Sequence, residues 1–442
     1  MSFETDKQTL EDLNILGKFK NNSIYSIFSG MVTRGGERLL EKMFLNPLTN
    51  AEEINQRTRV FRYFKEHDVA FPGDTKECDV VEQYLAGASG KHWVFNLALL
   101  FRAKMLELIG NNTVINQWHE QVITTVFFLQ KAKRYLDEVG KTITGNPMEE
   151  GIKKGEALLQ NKTLACVLNF QGKNLSLTEM FKFDKLLRCD MNKQFAELVK
   201  LFHEIDVNTV VGRVARERDF SFPVALTDDE MSIGIKGLFH PALPGAVSND
   251  LEITKSKNIF FLTGANMAGK STLMKSFGIA VYMAHMGFPV AAKSMTFSIQ
   301  DGLYTSINVP DNINMGYSHF YAEVLRVKKV AEEVSLSKRL VVIFDELFKG
   351  TNVKDAFDAT LAVTKALANR KACSFMISHI IEVGQELGNA YDNVIFAYLP
   401  TVMRDKVPTY TYKLENGITS DKHGMIIINN EHIVDIIRLR TI

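Results

Sequence analysis

The chain has 442 residues, a formal net charge of +1, 46% hydrophobic residues and 23% charged residues. Such a length suggests two to four domains, and the ordinary composition implies a buried core and not a disordered chain. The near-zero charge leaves no whole-molecule attraction for nucleic acid, so such a partner would have to be held by a local patch.

The cysteines are Cys78, Cys166, Cys189 and Cys373, with no CxxC spacing and no histidine at zinc-ligand distance. That pattern argues against a disulfide framework or a structural zinc. It reads as reduced, mostly buried thiols in a cytoplasmic protein. The polar, acidic start MSFETDKQTLEDLN lacks the apolar centre of a signal peptide. No apolar run reaches about 18 residues, so no membrane-spanning segment is expected.

In chain order, residues 1–218 read as helical. Arg34-GGERLLEKMFL and Ile54-NQRTRVFRYF carry apolar residues at three- and four-residue spacing. Asn50 with Glu53 three residues on marks a helix start. The stretches from Phe95 to Val139 and from Leu177 to Ile205 have the same character, interrupted at 140–146 and 170–174. Residues 151–200 hold 9 Lys/Arg against 5 Asp/Glu, together with Phe170, Phe181, Phe183 and Phe195. Two readings stand: a surface for a phosphate backbone, or a solvated helix face above core phenylalanines.

Near Phe220 the texture changes to short segments punctuated by Gly and Pro. From Asn258, short apolar runs (Asn258-IFFLT, Leu340-VVIFD, Cys373-SFMIS) alternate with amphipathic helices, which predicts a mostly parallel sheet covered by helices. The expected partition is an all-helical domain over 1–218 and an α/β domain over 219–442.

Gly264-Ala265-Asn266-Met267-Ala268-Gly269-Lys270-Ser271 fits the phosphate-binding pattern G-x-x-x-x-G-K-[ST]. A strand-like run precedes it and a helix-like run opens at Thr272. Glycines let the backbone N–H groups converge on phosphates, and the helix N-terminus adds its dipole. Lys270 is expected to reach the β- and γ-phosphates of ATP, and Ser271 to bind Mg²⁺. Asp345 and Glu346 end the strand Leu340-VVIFD. Asp345 is placed to orient the metal and Glu346 to polarise the attacking water; the plainer alternative is a strand ending in two solvated acids. His379 ends the next apolar strand and is a candidate for the γ-phosphate or the water, or a structural histidine.

Thr263-GANMAGKSTLMKS, Val342-IFDELFKGTN and Ser378-His379 together resemble the MutS mismatch-repair ATPases. Between them, Asp311-NINMGYSHF resembles that family's serine loop, with Glu323 following. The resemblance implies an α/β P-loop NTPase with an ABC-type ATPase head, preceded by an all-α lever domain. It also implies ATP and Mg²⁺ as ligands and a homodimer in which Ser318 completes the partner's ATP site in trans. Asp355 matches an aspartate near that dimer seam. Val32-TRGGERLLEKMFLNPLTNAEEINQR looks like the start of the levers, and His240-Pro241 like the opening of the ATPase domain. Gly417-ITSDKHGMIIINNEHIVDIIRL looks like the family's last helical region.

Three departures accompany the resemblance. By the resemblance the chain is expected to begin at the levers, without the mismatch-reading wedge or the connector. The interval before the P-loop is short, so a DNA clamp between the levers would be reduced or absent. In the ATP site, Ala265 and Ala268 replace the usual Pro and Gly, Lys349 replaces Arg, and Ala246 stands where an aromatic usually stacks on adenine. With the resemblance ending near Leu439, no nuclease-like extension is expected after the ATPase.

The expected function is ATP hydrolysis coupled to binding of double-stranded DNA, mismatched or branched, in mismatch repair or a related role, with other repair proteins as further partners. The alternative is a nucleotide-dependent dimer that binds branched DNA or a protein without reading mismatches.

Overall fold

The computed structural model describes residues 2–17, 23–86, 113–227, 231–265, 267–307, 319–336, 338–378, 381–388, 390–404, 407–419, 432 and 436–437. Mixed α/β structure with a parallel sheet and many helices is what these residues form. They fall into two compact units: Met1–Ile27, Phe44–Thr58 and Glu217–Ile442 in one, Phe28–Met43 and Arg59–Arg216 in the other.

The helices preceding the first strand are α1 (Lys7–Asp12), α2 (Ile24–Ile27), α3 (Arg34–Leu45), α4 (Ala51–Glu66), α5 (Thr75–Ala86), α6 (Thr113–Val139), α7 (Glu149–Leu159), α8 (Ala165–Leu168), α9 (Leu177–Asp184) and α10 (Asn192–Glu217). Asn50 accepts the Glu53 N–H at 3.0 Å, the cap expected at the start of α4. The Phe95–Val139 expectation can be followed only from Thr113, because 87–112 lie outside the described residues.

The second unit is built from helices among its described residues. Phe202 sits at its centre, edge-on to Phe71 and Phe128, with Tyr135 alongside. Gly212 lets two backbones touch: a methyl there would lie 2.5 Å from the Phe64 carbonyl carbon. The buried Asp206 accepts the N–H groups of Val32 and Thr33 at 3.1 and 2.7 Å. In the basic stretch, Phe183 and Phe195 are core residues, and Lys153 and Lys154 pair with Glu149 and Glu150. Phe170 and Phe181 are only half-buried, so the stretch combines core phenylalanines with a partly exposed aromatic and basic face. Of the cysteines, Cys78 and Cys373 are buried, Cys166 and Cys189 only partly, and all four are free.

The first unit holds the strands β1 (Val224–Leu226), β2 (Ser232–Leu238), β3 (Asn249–Thr254), β4 (Ile259–Gly264), β5 (Ser294–Ser298), β6 (Gly302–Ser306), β7 (Leu340–Asp345), β8 (Ser374–Ser378), β9 (Val394–Leu399), β10 (Thr401–Arg404), β11 (Val407–Tyr410) and β12 (Glu415–Asn416). The main sheet runs β12-β9-β4-β8-β7-β6. Only the β12 pairing is antiparallel. A smaller sheet runs β1-β5-β2-β3. Strands β4, β7 and β8 are apolar without alternation because both faces are covered. The helices here are α11 (Lys270–His285), α12 (His319–Ser335), α13 (Val353–Ala368) and α14 (Ile381–Gly388). Most of α11 is buried all round, which fits its lack of a polar face.

The units differ from the expected partition at 218/219. The cut falls at 216/217, and residues 1–27 and 44–58 group with the α/β unit. The reason lies in the first turns of the chain. Glu4 pairs with Gly302 as a short parallel bridge beside β6. Asp12 accepts the Thr305 hydroxyl at 2.7 Å and the Ile307 N–H at 3.0 Å. Asp6 binds Arg326 and Lys329. Burial alone would raise the Asp6 carboxyl, but the hydrogen bonds from Arg326, Lys329 and Thr9 hold it well below the usual range. The polar spelling of this segment conceals that Thr9, Asp12, Leu13 and Ile15 are buried.

Candidate functional site

Strand β4 delivers the chain to Gly264 at φ +146°, where a methyl would meet the Leu399 carbonyl oxygen at 3.1 Å. The turn closes at Gly269, φ +98°, where a methyl would meet the Tyr412 ring at 3.1 Å. Both positions therefore need glycine. Between them Met267 is left-handed at φ +71° and exposed, and the buried Ala268 donates its N–H to the Ala265 carbonyl at 3.2 Å. Asn266 lies outside the described residues. Helix α11 starts without a capping side chain, so its first N–H groups can bind an anion. Thr272 lies exposed in its first turn.

Lys270 is almost fully buried. Its ammonium donates to the carbonyls of Gly264 at 2.9 Å and Ala265 at 3.3 Å, and Glu346 Oε1 lies 3.8 Å away. Ser271 Oγ donates to Asp345 Oδ2. Asp345 ends β7 and its Oδ1 is buried with no partner among the described residues. Glu346 follows at φ +52°, its N–H donated to the Ser378 carbonyl at 3.0 Å, and Phe348 is also left-handed at φ +61°. Such strained backbone persists only where neighbours hold it. Here it fixes the loop that carries Glu346.

A hydroxyl and a carboxylate with a bare oxygen form a hard-oxygen set of the kind Mg²⁺ takes. No group of three or more His, Cys, Asp or Glu side chains able to hold a metal occurs among the described residues.

Beside the loop is a cavity of about 410 Å³, lined in part by Phe239, His240, Ala246, Met267, Gly269 and Tyr412. Burial, with Lys275 nearby, pushes the His240 imidazole below its ordinary value. Sequence reasoning looked for an aromatic at Ala246 and missed Phe239 and Tyr412. Tyr412 is brought in by Asn249, whose amide donates to the Tyr412 carbonyl at 3.0 Å and whose Oδ1 accepts the Leu414 N–H at 2.7 Å.

Glu323 is buried and accepts the Gly350 N–H at 3.4 Å. Asp355 is engaged locally: Asn352 accepts its N–H at 2.9 Å and donates to its carboxylate at 2.6 Å, capping α13. The geometry thus brings together Gly264, Ala265, Met267, Ala268, Gly269, Lys270, Ser271, Thr272, Asp345 and Glu346. Ser318 and His379 lie outside the described residues, as does most of the segment after Gly417.

Residues 260–437 match the family described as MutS domain V. The DNA mismatch repair protein MutS of Pseudothermotoga lettingae is 21% identical over 505 residues, covering 95% of this chain and 62% of that protein. The protein of the same name from Exiguobacterium sp. is 24% identical over 369 residues, 81% of this chain and 42% of the relative. That of Lactococcus lactis subsp. lactis is 30% identical over 235 residues, 52% and 28%. The chain thus spans between 28% and 62% of the length of these curated relatives.

Proposed function

The chain is a MutS family protein, with residues 260–437 matching domain V, and from that membership we propose that it binds ATP at the Gly264–Ser271 loop and hydrolyses it in support of DNA binding. What carries the reading is the hydrogen bond from Ser271 to Asp345. It joins a phosphate-type loop to a carboxylate 74 residues away, at the common edge of two parallel strands.

In this reading the free N–H groups of the loop and of α11 bind the phosphates. Lys270, held ready among the loop carbonyls, neutralises their charge. Ser271 and Asp345 would hold Mg²⁺, Asp345 through one of the ion's waters, and the ion would supply further charge neutralisation when bound. Glu346 accepts a proton from the attacking water or orients it, with the Lys270 ammonium 3.8 Å from its Oε1. Tyr412 and Phe239 give the cavity beside the loop the aromatic surface that a purine base stacks on. His379 is assigned to the water or γ-phosphate, and Ser318 to the site of a second protomer, which makes the working form a homodimer. Among the described residues no helix is long and apolar enough to cross a membrane; a cytoplasmic location is part of the proposal.

The relatives are named for DNA mismatch repair, and we extend DNA binding to this chain, with the helical half as the DNA-holding part. The test is ATP turnover with Mg²⁺, measured alone and with perfect duplex, mismatched and branched DNA across a salt series. Turnover stimulated by one DNA form supports the reading. A protein that neither binds nor hydrolyses ATP overturns it.

A further inference from the structure

The sheet face that carries Asp345 carries a second buried oxygen without a hydrogen-bond partner. Parallel pairing sets Ser378 opposite both Asp345 and Leu262. Residues in register share a face, and the face alternates along each strand. Phe344, Ile377 and Phe261, one residue back, belong to the apolar cluster on the other face. Ile343, two residues before Asp345, packs on α11: a methyl on Gly278 would lie 3.0 Å from its Cδ1. Asp345 and Ser378 therefore face α11, the helix that opens with Lys270 and Ser271, as the Ser271–Asp345 hydrogen bond requires.

Ser378 is fully buried, and its Oγ has no partner among the described residues. The same is true of Asp345 Oδ1. The two oxygens stand on adjacent strands at the same register without bonding each other. A buried hydroxyl left alone is costly, and alanine would occupy this strand position without that cost. The Ser378 carbonyl is already engaged by the Glu346 N–H, so the backbone at this point is held and the hydroxyl is aimed from a fixed base.

We propose that Ser378 is a positioning residue for the metal: Ser378 Oγ and Asp345 Oδ1 together accept the two protons of one water in the hydration shell of Mg²⁺ bound with ATP. The inference rests on the ATP-binding reading above. Mg²⁺ keeps several waters in sites of this kind and is bound through few protein oxygens, so the orientation of those waters falls to neighbouring acceptors. Ser378 supplies a neutral acceptor where a second carboxylate would add charge.

The experiment compares wild type, Ser378→Ala and Ser378→Thr. Metal-free melting comes first: Ser378→Ala should melt at or above wild type, since it removes a lone buried hydroxyl. Thermal stabilisation is then followed in saturating non-hydrolysable ATP analogue as Mg²⁺ is titrated, with Mn²⁺ binding read by electron paramagnetic resonance. The Mg²⁺ midpoint should rise roughly 3- to 10-fold in Ser378→Ala, the loss of one hydrogen bond, and return toward wild type in Ser378→Thr. Binding of the analogue without metal should not change. An unchanged midpoint in Ser378→Ala, with wild type responding to Mg²⁺, overturns the inference alone. No stabilisation of wild type by the analogue, with or without Mg²⁺, overturns the ATP-binding reading and this inference with it, whereas stabilisation by the analogue without any Mg²⁺ dependence overturns this inference alone. Should Ser378→Ala fail to fold, Ser378→Cys, nearly isosteric and a weak hydrogen-bonding group, carries the same comparison.

Discussion

The ammonium of Lys270 is shared between two carbonyls and a carboxylate, so the two ends of that contact can be cut separately. Lys270→Ala should weaken ATP binding by about 100-fold or more, since charge-assisted contacts to phosphate are among the stronger polar terms. Equilibrium titration with a fluorescent ATP analogue measures it, and near-wild-type affinity would contradict the assignment. Glu346→Ala should leave binding intact or tighter, because Lys270 loses a competing partner, while turnover falls roughly 10²-fold. Normal single-turnover hydrolysis in that variant would show that Glu346 is not the group acting on water. At this scale the sequence was most informative where backbone geometry dictates the residue. Gly264 and Gly269 sit at positive φ with neighbours about 3 Å from any added methyl, so their spacing could be read directly. Tyr412 could not be, because only the Asn249 contacts, 163 and 165 residues apart in sequence, bring its segment to the loop.

Strands and helices were legible where a single physical requirement governs them. β4, β7 and β8 announce themselves as unbroken apolar runs because both faces are covered. The N-terminal segment was not legible, since it earns its place through carboxylates and hydroxyls that bond β6 and α12, not through an apolar stripe. Buried polar groups also govern the acid response of α11. His285 is fully buried, with Nδ1 donating to the Val281 carbonyl at 2.8 Å and Nε2 accepting the Gln300 N–H at 3.0 Å. A second proton would have to sit on Nε2, against that N–H. Burial pushes the imidazole down from 6.5 to about 4, with the hydrogen bond to the Val281 carbonyl and the nearby Asp301 opposing it. The unfolded chain therefore binds more protons between these values. The stabilisation is complete above pH 6.5 and is lost as pH falls toward 4, amounting to about 3 kcal/mol at most. Denaturant melts across this window should lose stability on acidification, and His285→Gln should flatten the slope whatever its effect at neutral pH.

For the whole molecule, the resemblance ties ATP to self-association. Sedimentation with ATP and Mg²⁺ should show a dimer that Ser318→Ala weakens or leaves catalytically slow. A monomer under every nucleotide condition would contradict the composite site. Which unit a residue joins was only partly readable, because the chain visits the α/β unit at 1–27 and 44–58 before entering it for good at Glu217. The visit by the first residues has its own consequence. β6 is the last strand of the main sheet, and Glu4 lies along it, donating its N–H to the Asp301 carbonyl at 2.8 Å and accepting the Leu303 N–H at 2.9 Å. The segment around Glu4 is thus a sheath over an otherwise adhesive margin. A chain started at residue 24 should scatter light increasingly with concentration as bare margins join one another, whereas the intact chain should not.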